Sequence, residues 1–398
     1  MSRTPSLLLL LLVGLFASAA PAGASSPPVV RPAAVEAARD TTVTLEGRGY
    51  GHGHGLSQYG AEGQARQGRS TAQILRFYYP GTAIARRGGV VRVLLTEVGD
   101  VLTVQAQPSL KVAAVGGRTT RLRGVDARAG WWRIVPDGRD STVQRSRDGS
   151  TWRTWRTLAG DAQFSADQPM RIRTSAGKAS YRGLLRSVHA DATGETRDIV
   201  DHVPLEAYLR GVVPQEVPAL WHPAAVRAQA VAARTYAVFE RTENAGDTYD
   251  LCDTAACQVY GGAGAEHPAS DAAVRATAGQ VLVDDAQPIF AQFSASNGGW
   301  TRANPGFPYL VAKKDPYDTW SGNPYRSWTV TLDGAAIAAQ FPAIGDFVSM
   351  SVSQRDGHGA WGGRATELTL VGTSSTITVD PDTFRTRFGL RETWFRIV

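Results

Sequence analysis

Residues 211–238 read GVVPQEVPALWHPAAVRAQAVAARTYAV, and this stretch decides most of the fold. Pro223 suits the first turn of a helix that extends to about residue 241. Apolar positions recur along it at spacings of three and four residues, which predicts a helix with one buried face: Val226, Ala230, Ala233 and Ala237. Because most of the other side chains are also small, we expect neighbouring elements to pack very closely against this helix.

Glu216 lies just before this helix, between Pro214 and Pro218. The two prolines restrict the backbone, and the apolar neighbours predict a carboxyl group that is partly removed from water. Desolvation raises the pKa of a carboxyl group, as a general acid at neutral pH requires. Glu216 is therefore the candidate catalytic residue. The alternative is an exposed loop acid that stabilises the following helix N-terminus.

Short strand and helix patterns on both sides of this stretch predict an α+β fold, with a mixed sheet packed on the long central helix. Short β-type runs separated by turns fill residues 90–175, which we interpret as an inserted β-rich subdomain. Four tryptophans cluster there: Trp131, Trp132, Trp152 and Trp155. Packing in a core or between strands is the usual role of such residues, and stacking on sugars is the alternative.

The N-terminus is typical of an export signal, because Arg3 precedes an apolar run and small residues follow. We predict a signal peptide over residues 1–24, with an uncleaved membrane anchor as the alternative. A flexible spacer rich in Ala and Pro is expected over residues 25–40. These features predict a secreted, extracytoplasmic protein with no membrane span after cleavage.

The formal net charge is +6, and arginine supplies most of the positive charge. A basic exported protein is suited to anionic wall polymers. The charge is dispersed and no nucleic-acid-binding motif is present, so nucleic acid is not expected as a partner. The two cysteines, Cys252 and Cys257, would meet an oxidising compartment after export, which favours a disulfide. A metal pair with a histidine is the alternative, and a catalytic thiol has no supporting motif.

Several ordered motifs resemble the SpoIID/LytB family. They begin with YRG at residues 181–183 and continue as VPLEAYLRGVVPQEVP (203–218), AQAVAARTYA (228–237), YDLCDT (249–254), CQVYGG (257–262) and SASNGGWT (294–301). The resemblance covers about residues 181–317. HGHGLSQYGA at residues 52–61 resembles a further family motif, and FGLR at residues 388–391 resembles the closing segment of the family.

The resemblance implies a lytic transglycosylase that cuts peptidoglycan glycan strands, with Glu216 as its single general acid/base. Such an enzyme makes a 1,6-anhydro end and needs no second carboxylate, unlike most glycosidases. Glu206 is accordingly interpreted as structural. The LytB branch was named for enhancing a cell-wall amidase, so a glycan-binding enhancer with an amidase as partner stays open. No cofactor is implied.

The matching motifs also supply candidate substrate-binding residues: His52, His54, Gln58, Arg234, Gln258, Tyr260, Ser294 and Ser296. His52 and His54 could instead contribute to a zinc site, but two ligands are too few, and no metal is predicted. Arg234, with Gln229, could instead be a hydrogen-bonded core residue on the long helix.

The sequence departs from the family pattern in the order of its parts. In sporulation members the histidine-glycine motif follows the catalytic segment, whereas here it comes first, and Leu56 replaces the usual Met. We therefore expect both ends of the chain to pack around one site. The predicted organisation is a histidine-glycine segment (41–89), the β-rich insertion (90–175), the SpoIID/LytB-like core (176–320) and a C-terminal segment that completes this core (321–398).

Overall fold

The computed structural model describes residues 41–398. The predicted signal peptide and spacer, residues 1–40, lie outside the described residues. The described chain combines helices with several sheets, and the predicted α+β class is confirmed. Its helices are α1 (Gln58–Arg66), α2 (Thr71–Tyr78), α3 (Leu205–Glu216), α4 (Pro223–Glu243), α5 (Pro268–Ala276), α6 (Gly334–Gln340) and α7 (Pro381–Arg387).

Most strands are short. The first half of the chain contains β1 (Thr42–Gly47), β2 (Leu56–Ser57), β3 (Ala83–Arg86), β4 (Val90–Leu94), β5 (Leu102–Gln105), β6 (Lys111–Ala114), β7 (Thr120–Arg121), β8 (Trp131–Asp137), β9 (Asp140–Ser146), β10 (Arg153–Leu158), β11 (Ala162–Ser165), β12 (Met170–Thr174), β13 (Gly177–Tyr181), β14 (Leu184–His189) and β15 (Arg197–Pro204). The second half contains β16 (Leu251–Cys252), β17 (Gln280–Asp284), β18 (Gln287–Pro288), β19 (Phe293–Ser294), β20 (Trp328–Asp333), β21 (Phe347–Arg355), β22 (Ala365–Gly372), β23 (Thr376–Val379) and β24 (Phe395–Ile397).

Helix α4 is the central helix of the fold and contacts α1, α2, α3, α5 and β17. Its alanines are buried along most of its length, because small side chains let several elements approach one helix closely. The predicted start at Pro223 is confirmed. The predicted end near residue 241 differs from the observed end by two residues.

The largest sheet is mixed and has the order β16-β4-β15-β14-β11-β6-β7, with β16 parallel to β4 and the other neighbours antiparallel. Strands β4, β6 and β11 come from the segment interpreted as an insertion, and β4 lies between two strands of the family-like core. The segment 90–175 therefore shares a sheet with that core.

A second sheet of six strands, in the order β10-β9-β8-β5-β12-β13, is formed by the same β-rich segment and its C-terminal extension. Its inner face carries Trp132, Ile134 and Ile172. These residues belong to the hydrophobic cluster that also contains β4, β15, α3 and α4. The core-packing role considered for the tryptophans therefore applies to Trp132, which Trp155 contacts edge to face.

The two ends of the described chain meet in one small sheet, in which β1 lies between β20 and β24. A separate hydrophobic cluster joins this sheet to β21–β23, α6 and α7. The packing of both ends of the described chain against each other is thus part of the fold. Its physical basis is a central strand from one end paired on both edges with strands from the other.

The alternative of a loop position for Glu216 does not describe the structure. Helix α3 continues to Glu216, so Glu216 ends a helix and does not lie in a loop. Nearby, the short strand β19 pairs in parallel with β2.

Candidate active site

Glu216 is presented by the C-terminal end of α3. Gly211 lets this helix lie against the 260–262 segment, since a Cβ atom here would come within 2.6 Å of the Gly262 carbonyl oxygen and 2.7 Å of the Tyr260 ring. Pro214 lies in the last turn and Val217 leaves the helix in an extended conformation. The helix therefore ends where the carboxyl group meets the cleft.

The pKa of Glu216 is raised, chiefly because burial removes the carboxyl group from water. A hydrogen bond donated by Gln58 Nε2 to Glu216 Oε2 (3.1 Å) and one involving the Val259 backbone oppose this shift only in part. The negative end of the α3 dipole also disfavours the ionised carboxylate. Glu216 is thus at the end of a helix, not before a helix N-terminus, and its surroundings favour the protonated form.

The histidine-glycine segment runs along the cleft in a conformation that needs glycine. Gly55 has a φ of 63°, and a Cβ atom there would lie 2.0 Å from the Gln292 carbonyl oxygen. Nδ1 of His52 accepts a hydrogen bond from the His54 backbone N–H (3.0 Å), and the Phe293 carbonyl contacts the same ring. Burial lowers the pKa of His52 to about 3, so this ring is neutral at neutral pH.

Gln58 is held in place by the residue before it. Ser57 caps α1, with its hydroxyl oxygen accepting from the Gly60 backbone N–H (3.0 Å). The same hydroxyl donates to Asp318 Oδ1 (2.5 Å). Because Ser57 is fixed from both sides, the adjacent Gln58 amide is held towards Glu216.

These elements enclose a cleft of about 490 Å³. It is lined by Tyr50, Gly51, His52, Gln58, Glu216, Tyr236, Ala255, Ala256, Cys257, Val259, Phe290, Gln292, Phe293, Ser294, Ala295 and Arg385. Among these lining residues of the described chain, Glu216 carries the only carboxyl group. One side of the cleft is an aromatic wall formed by Tyr236, Phe290 and Phe293. The ring centroid of Tyr236 lies 5.6 Å from that of Phe290 and 6.4 Å from that of Phe293. The cleft therefore joins one raised-pKa acid to an apolar wall suited to a sugar ring.

Two polar groups of the cleft are buried without a hydrogen-bond partner among the described residues: Ser294 Oγ and Arg385 Nε. Both can bind the hydroxyl or carbonyl groups of a ligand without giving up a bond to the protein. Arg385 lies on α7 and was missed by the sequence reasoning. The local sequence contains no signal for Arg385, because short helices with several arginines are common. The FGLR motif nearby was the one sequence feature that drew attention to this part of the chain.

The structure brings His52, Gln58 and Ser294 to Glu216, and it places other predicted substrate-binding residues elsewhere. Arg234 is completely buried and pairs with Glu206 through two contacts of 2.8 Å (Nε–Oε1 and Nη2–Oε2). It also donates to backbone carbonyls of Val274 and Gln280. The core alternative considered for Arg234 describes its position, and its contact with substrate stays a prediction.

Two further candidates, Gln258 and Tyr260, lie behind the cleft wall. Gln258 accepts from the Tyr208 hydroxyl (3.0 Å) and donates to the Ala233 carbonyl (3.3 Å). The Tyr260 hydroxyl donates to Asp201 Oδ2 (3.0 Å). All of these groups are buried, so Gln258 and Tyr260 support the wall and do not face a ligand.

Ser296 and His54 also make internal contacts. Ser296 Oγ is buried and donates to Asp318 Oδ2 (2.7 Å). His54 stacks on His52 with ring centroids 5.3 Å apart, and its Nδ1 lies 3.1 Å from the Arg302 carbonyl oxygen. Burial lowers the pKa of His54 to about 4. Neither residue is among those that line the cleft, and their contact with substrate stays a prediction.

Cys252 and Cys257 form a disulfide, with Cα atoms 5.5 Å apart. This bond closes the loop that carries Ala255 and Ala256, which line one side of the cleft. The pair is therefore not available as the metal site considered above. Within residues 41–398, no group of three or more His, Cys, Asp or Glu side chains is arranged to hold a metal ion. No helix in the same residues is both long and apolar enough to span a membrane.

Comparison with known proteins gives a family match for part of the chain that forms this cleft. Residues 193–283 match the family model SpoIID, described as stage II sporulation protein. This segment of the chain is similar to the SpoIID family. An amidase enhancer of Bacillus subtilis (strain 168) is 43% identical over 129 residues, which cover 31% of this chain and 17% of that protein. Stage II sporulation protein D of the same organism is 35% identical over 141 residues, covering 30% of this chain and 40% of the relative. The chain thus spans less than half the length of either relative.

The SpoIID match includes only part of the cleft. Glu216, Tyr236 and the disulfide loop fall within residues 193–283, whereas His52, Gln58, Ser294 and Arg385 lie outside it. The cleft is therefore formed by the segment that matches the SpoIID model together with residues from both ends of the described chain.

Proposed function

We propose that this protein is a peptidoglycan lytic transglycosylase in which Glu216 acts first as general acid and then as general base. The observation that carries the proposal is the single carboxyl group of the cleft, half buried at the end of α3 with a raised pKa. A glycosidase of the common type needs two carboxylates on either side of the bond. A transglycosylase needs one, because the sugar supplies its own nucleophile.

In the first step the protonated Glu216 gives its proton to the glycosidic oxygen, and the bond from that oxygen to the anomeric carbon breaks. In the second step the Glu216 carboxylate removes the proton of the 6-hydroxyl group of the same sugar. That oxygen then bonds to the anomeric carbon and closes a 1,6-anhydro ring. The carboxyl group ends protonated, and no water is consumed.

The other cleft residues have roles that their contacts support. Gln58 holds Glu216 through the 3.1 Å bond and, as an amide, stabilises the carboxylate between the two steps. Ser294 Oγ and Arg385 Nε are free to bind sugar hydroxyl or amide groups. Tyr236 and Phe293 provide an apolar wall for the ring face, which also excludes water that would compete with the 6-hydroxyl.

The names of the relatives support a proposal for the substrate class and the place of action. One relative is named an amidase enhancer and the other a sporulation protein, and both names fit work on the bacterial wall. We infer glycan strands of peptidoglycan as substrate and an extracytoplasmic location, in keeping with the export signal expected at the N-terminus.

Glu216→Gln tests the proposal. The amide keeps the size of the side chain but can neither donate the acid proton nor accept one, so we expect release of 1,6-anhydro products from purified glycan strands to fall roughly 100-fold or more. Mass spectrometry of digested sacculi and of strands without stem peptides measures this. For the native protein, the rate should decline as pH rises through the raised pKa of Glu216, since only the protonated acid starts the reaction.

Glu243→Gln is the matched control, because Glu243 is exposed at the end of α4, far along the helix from the cleft, and loses the same charge. It should retain native rates and the native melting temperature. If native protein forms no anhydro product from either substrate, or if Glu216→Gln is as active as Glu243→Gln, the enzyme proposal is wrong.

The second candidate is a non-catalytic glycan-binding enhancer of a wall amidase, favoured by the name of the 43% identical relative. In that case stimulation of an added amidase on sacculi should be the same for native protein and Glu216→Gln. Glycan binding would persist and no anhydro end would form.

A further inference from the structure

The outer face of the six-stranded sheet carries a dense group of cations. Along β8, Trp132 and Ile134 point into the core, so Trp131 and Arg133 point outwards. The register continues this face through β12 and β13, where Arg173 lies opposite Lys178 and Arg171 opposite Ser180. We call this surface the basic sheet face: Trp131, Arg133, Trp152, Arg171, Arg173 and Lys178.

The tryptophans of the basic sheet face are covered by cations. The Arg173 guanidinium lies 4.5 Å and the Lys178 ammonium 5.4 Å from the Trp131 ring centroid. The Arg133 guanidinium lies 4.2 Å from the ring of Trp152. These contacts hold the cations in fixed positions on the sheet. They also occupy the ring faces that a neutral sugar or a nucleic-acid base would need for stacking.

None of the four cations forms an ion pair within residues 41–398, whereas many other arginines of the described chain do. The neighbouring acids have other partners. Asp137 accepts from Thr142 at the far end of β8 (2.7 Å), and Asp148 accepts from Ser146 and from backbone N–H groups of its turn.

The positive charges of this face act on one another. The pKa of Arg133 is lowered, first by burial and then by the nearby Arg173. Positive charges that lie close together without neighbouring carboxylates repel one another, which raises the free energy of the ligand-free protein. An anionic ligand bound to this face reduces that repulsion. Guanidinium groups fixed in place bind carboxylate, phosphate or sulfate groups in a fork geometry. An array spread over three strands suits a polymer with repeated charges better than a single small anion.

We propose that the basic sheet face binds an anionic polysaccharide, and so retains the protein on a charged polymer that accompanies its substrate. The choice of a polysaccharide as the ligand rests on the proposed function. The inference that the ligand is negatively charged rests on the cations of the basic sheet face. Nucleic acid is disfavoured because the aromatic rings available for base stacking are covered.

The experiment measures binding of the full chain to dextran sulfate and to uncharged dextran, which share one backbone. Polygalacturonate provides a carboxylate polymer and a single-stranded DNA provides the nucleic-acid comparison. We expect binding to dextran sulfate and polygalacturonate that weakens with salt, and none to dextran. The triple variant R133Q/R173Q/K178Q should lose about tenfold or more in affinity, since each exposed charge contact contributes modestly.

A matched variant removes the same number of charges elsewhere. R118Q/R121Q/R123Q changes three exposed arginines in the β6–β7 region and should bind like the native protein. If the triple variant has a low melting temperature, the single variant R171E, at an exposed position, tests the basic sheet face instead. It should also weaken binding to the anionic polysaccharides. If both triple variants lose the same affinity for the anionic polysaccharides, the effect is one of net charge and the proposal is wrong. Tighter binding of DNA than of either polysaccharide would also overturn it.

The two proposals can fail separately. The Glu216→Gln protein should bind dextran sulfate like the native protein, and R133Q/R173Q/K178Q should still cleave short uncharged glycan strands. Lack of anhydro products with intact dextran sulfate binding would remove the enzyme proposal alone. If the native protein cleaves glycan strands but binds neither anionic polymer, only the proposal for the basic sheet face is wrong.

Discussion

Asp318 is a buried carboxyl group whose partners connect it to Glu216. It accepts hydrogen bonds from Ser57 and Ser296, and Ser57 precedes the Gln58 that contacts Glu216. Burial and the neighbouring Asp315 raise the pKa of Asp318 to about 7. The folded protein then holds a proton that the unfolded chain loses above its ordinary pKa of about 4. Stability from this group is therefore present at low pH and lost as pH rises towards 7.

We expect Asp318→Asn to gain melting temperature relative to native protein as pH increases from 5 to 8, because the amide stays neutral. The difference should grow by at most about 1.4 kcal/mol per pH unit. Thermal unfolding at several pH values measures it, with Asp285→Asn as the control at an exposed turn where Asn tolerates the φ of 45°. A difference that is constant across this range would show that Asp318 does not titrate there.

Arg234 connects several secondary-structure elements. Its guanidinium on α4 bonds to Glu206 of α3 and to backbone carbonyl groups of α5 and β17. Arg234→Met should lower the free energy of unfolding by roughly 2–4 kcal/mol, because buried acceptors lose their donor. Glu206 is 40% exposed and can regain water, which favours the lower part of that range. Urea unfolding measures the loss.

The same variant separates a structural role from contact with substrate. With Arg234 behind the cleft, the KM and the pH profile of Arg234→Met at a temperature where it is folded should match those of the native protein. Arg227→Met, at an exposed position of the same helix, is the control and should unfold like native protein. A large rise in KM with unchanged stability would return Arg234 to the substrate-binding residues.

At the scale of the whole molecule, the part that resembles the family does not contain a complete fold. Strand β4 of the β-rich segment lies between β15 and β16, and β3 of the histidine-glycine segment pairs with β17. Residues 176–320 expressed alone would expose both edges and the cluster beneath them. We expect this fragment to show no cooperative thermal transition by circular dichroism, whereas residues 41–398 melt cooperatively. A sharp transition in the fragment would contradict the shared core.

Local patterns carried the predictions that succeeded. The periodicity from Pro223 predicted α4. A helix ending at Glu216 was not predicted, because Gly211 and Pro214 are usually helix breakers. Here Gly211 serves close packing, and Pro214 lies where the helix is ending.

Sequence patterns alone predicted the long helix, the α+β class and the family motifs, and made Glu216 the candidate catalytic residue, because these inferences depend on neighbours in the chain. Which motif residues face the cleft depends instead on the tertiary structure. Arg234 and Ser296 match the motifs as well as Ser294 does, yet they are buried against Glu206 and Asp318. Arg385 faces the cleft without any motif. The physical reason is that a side chain's direction in the fold depends on packing between distant segments, which no local pattern encodes.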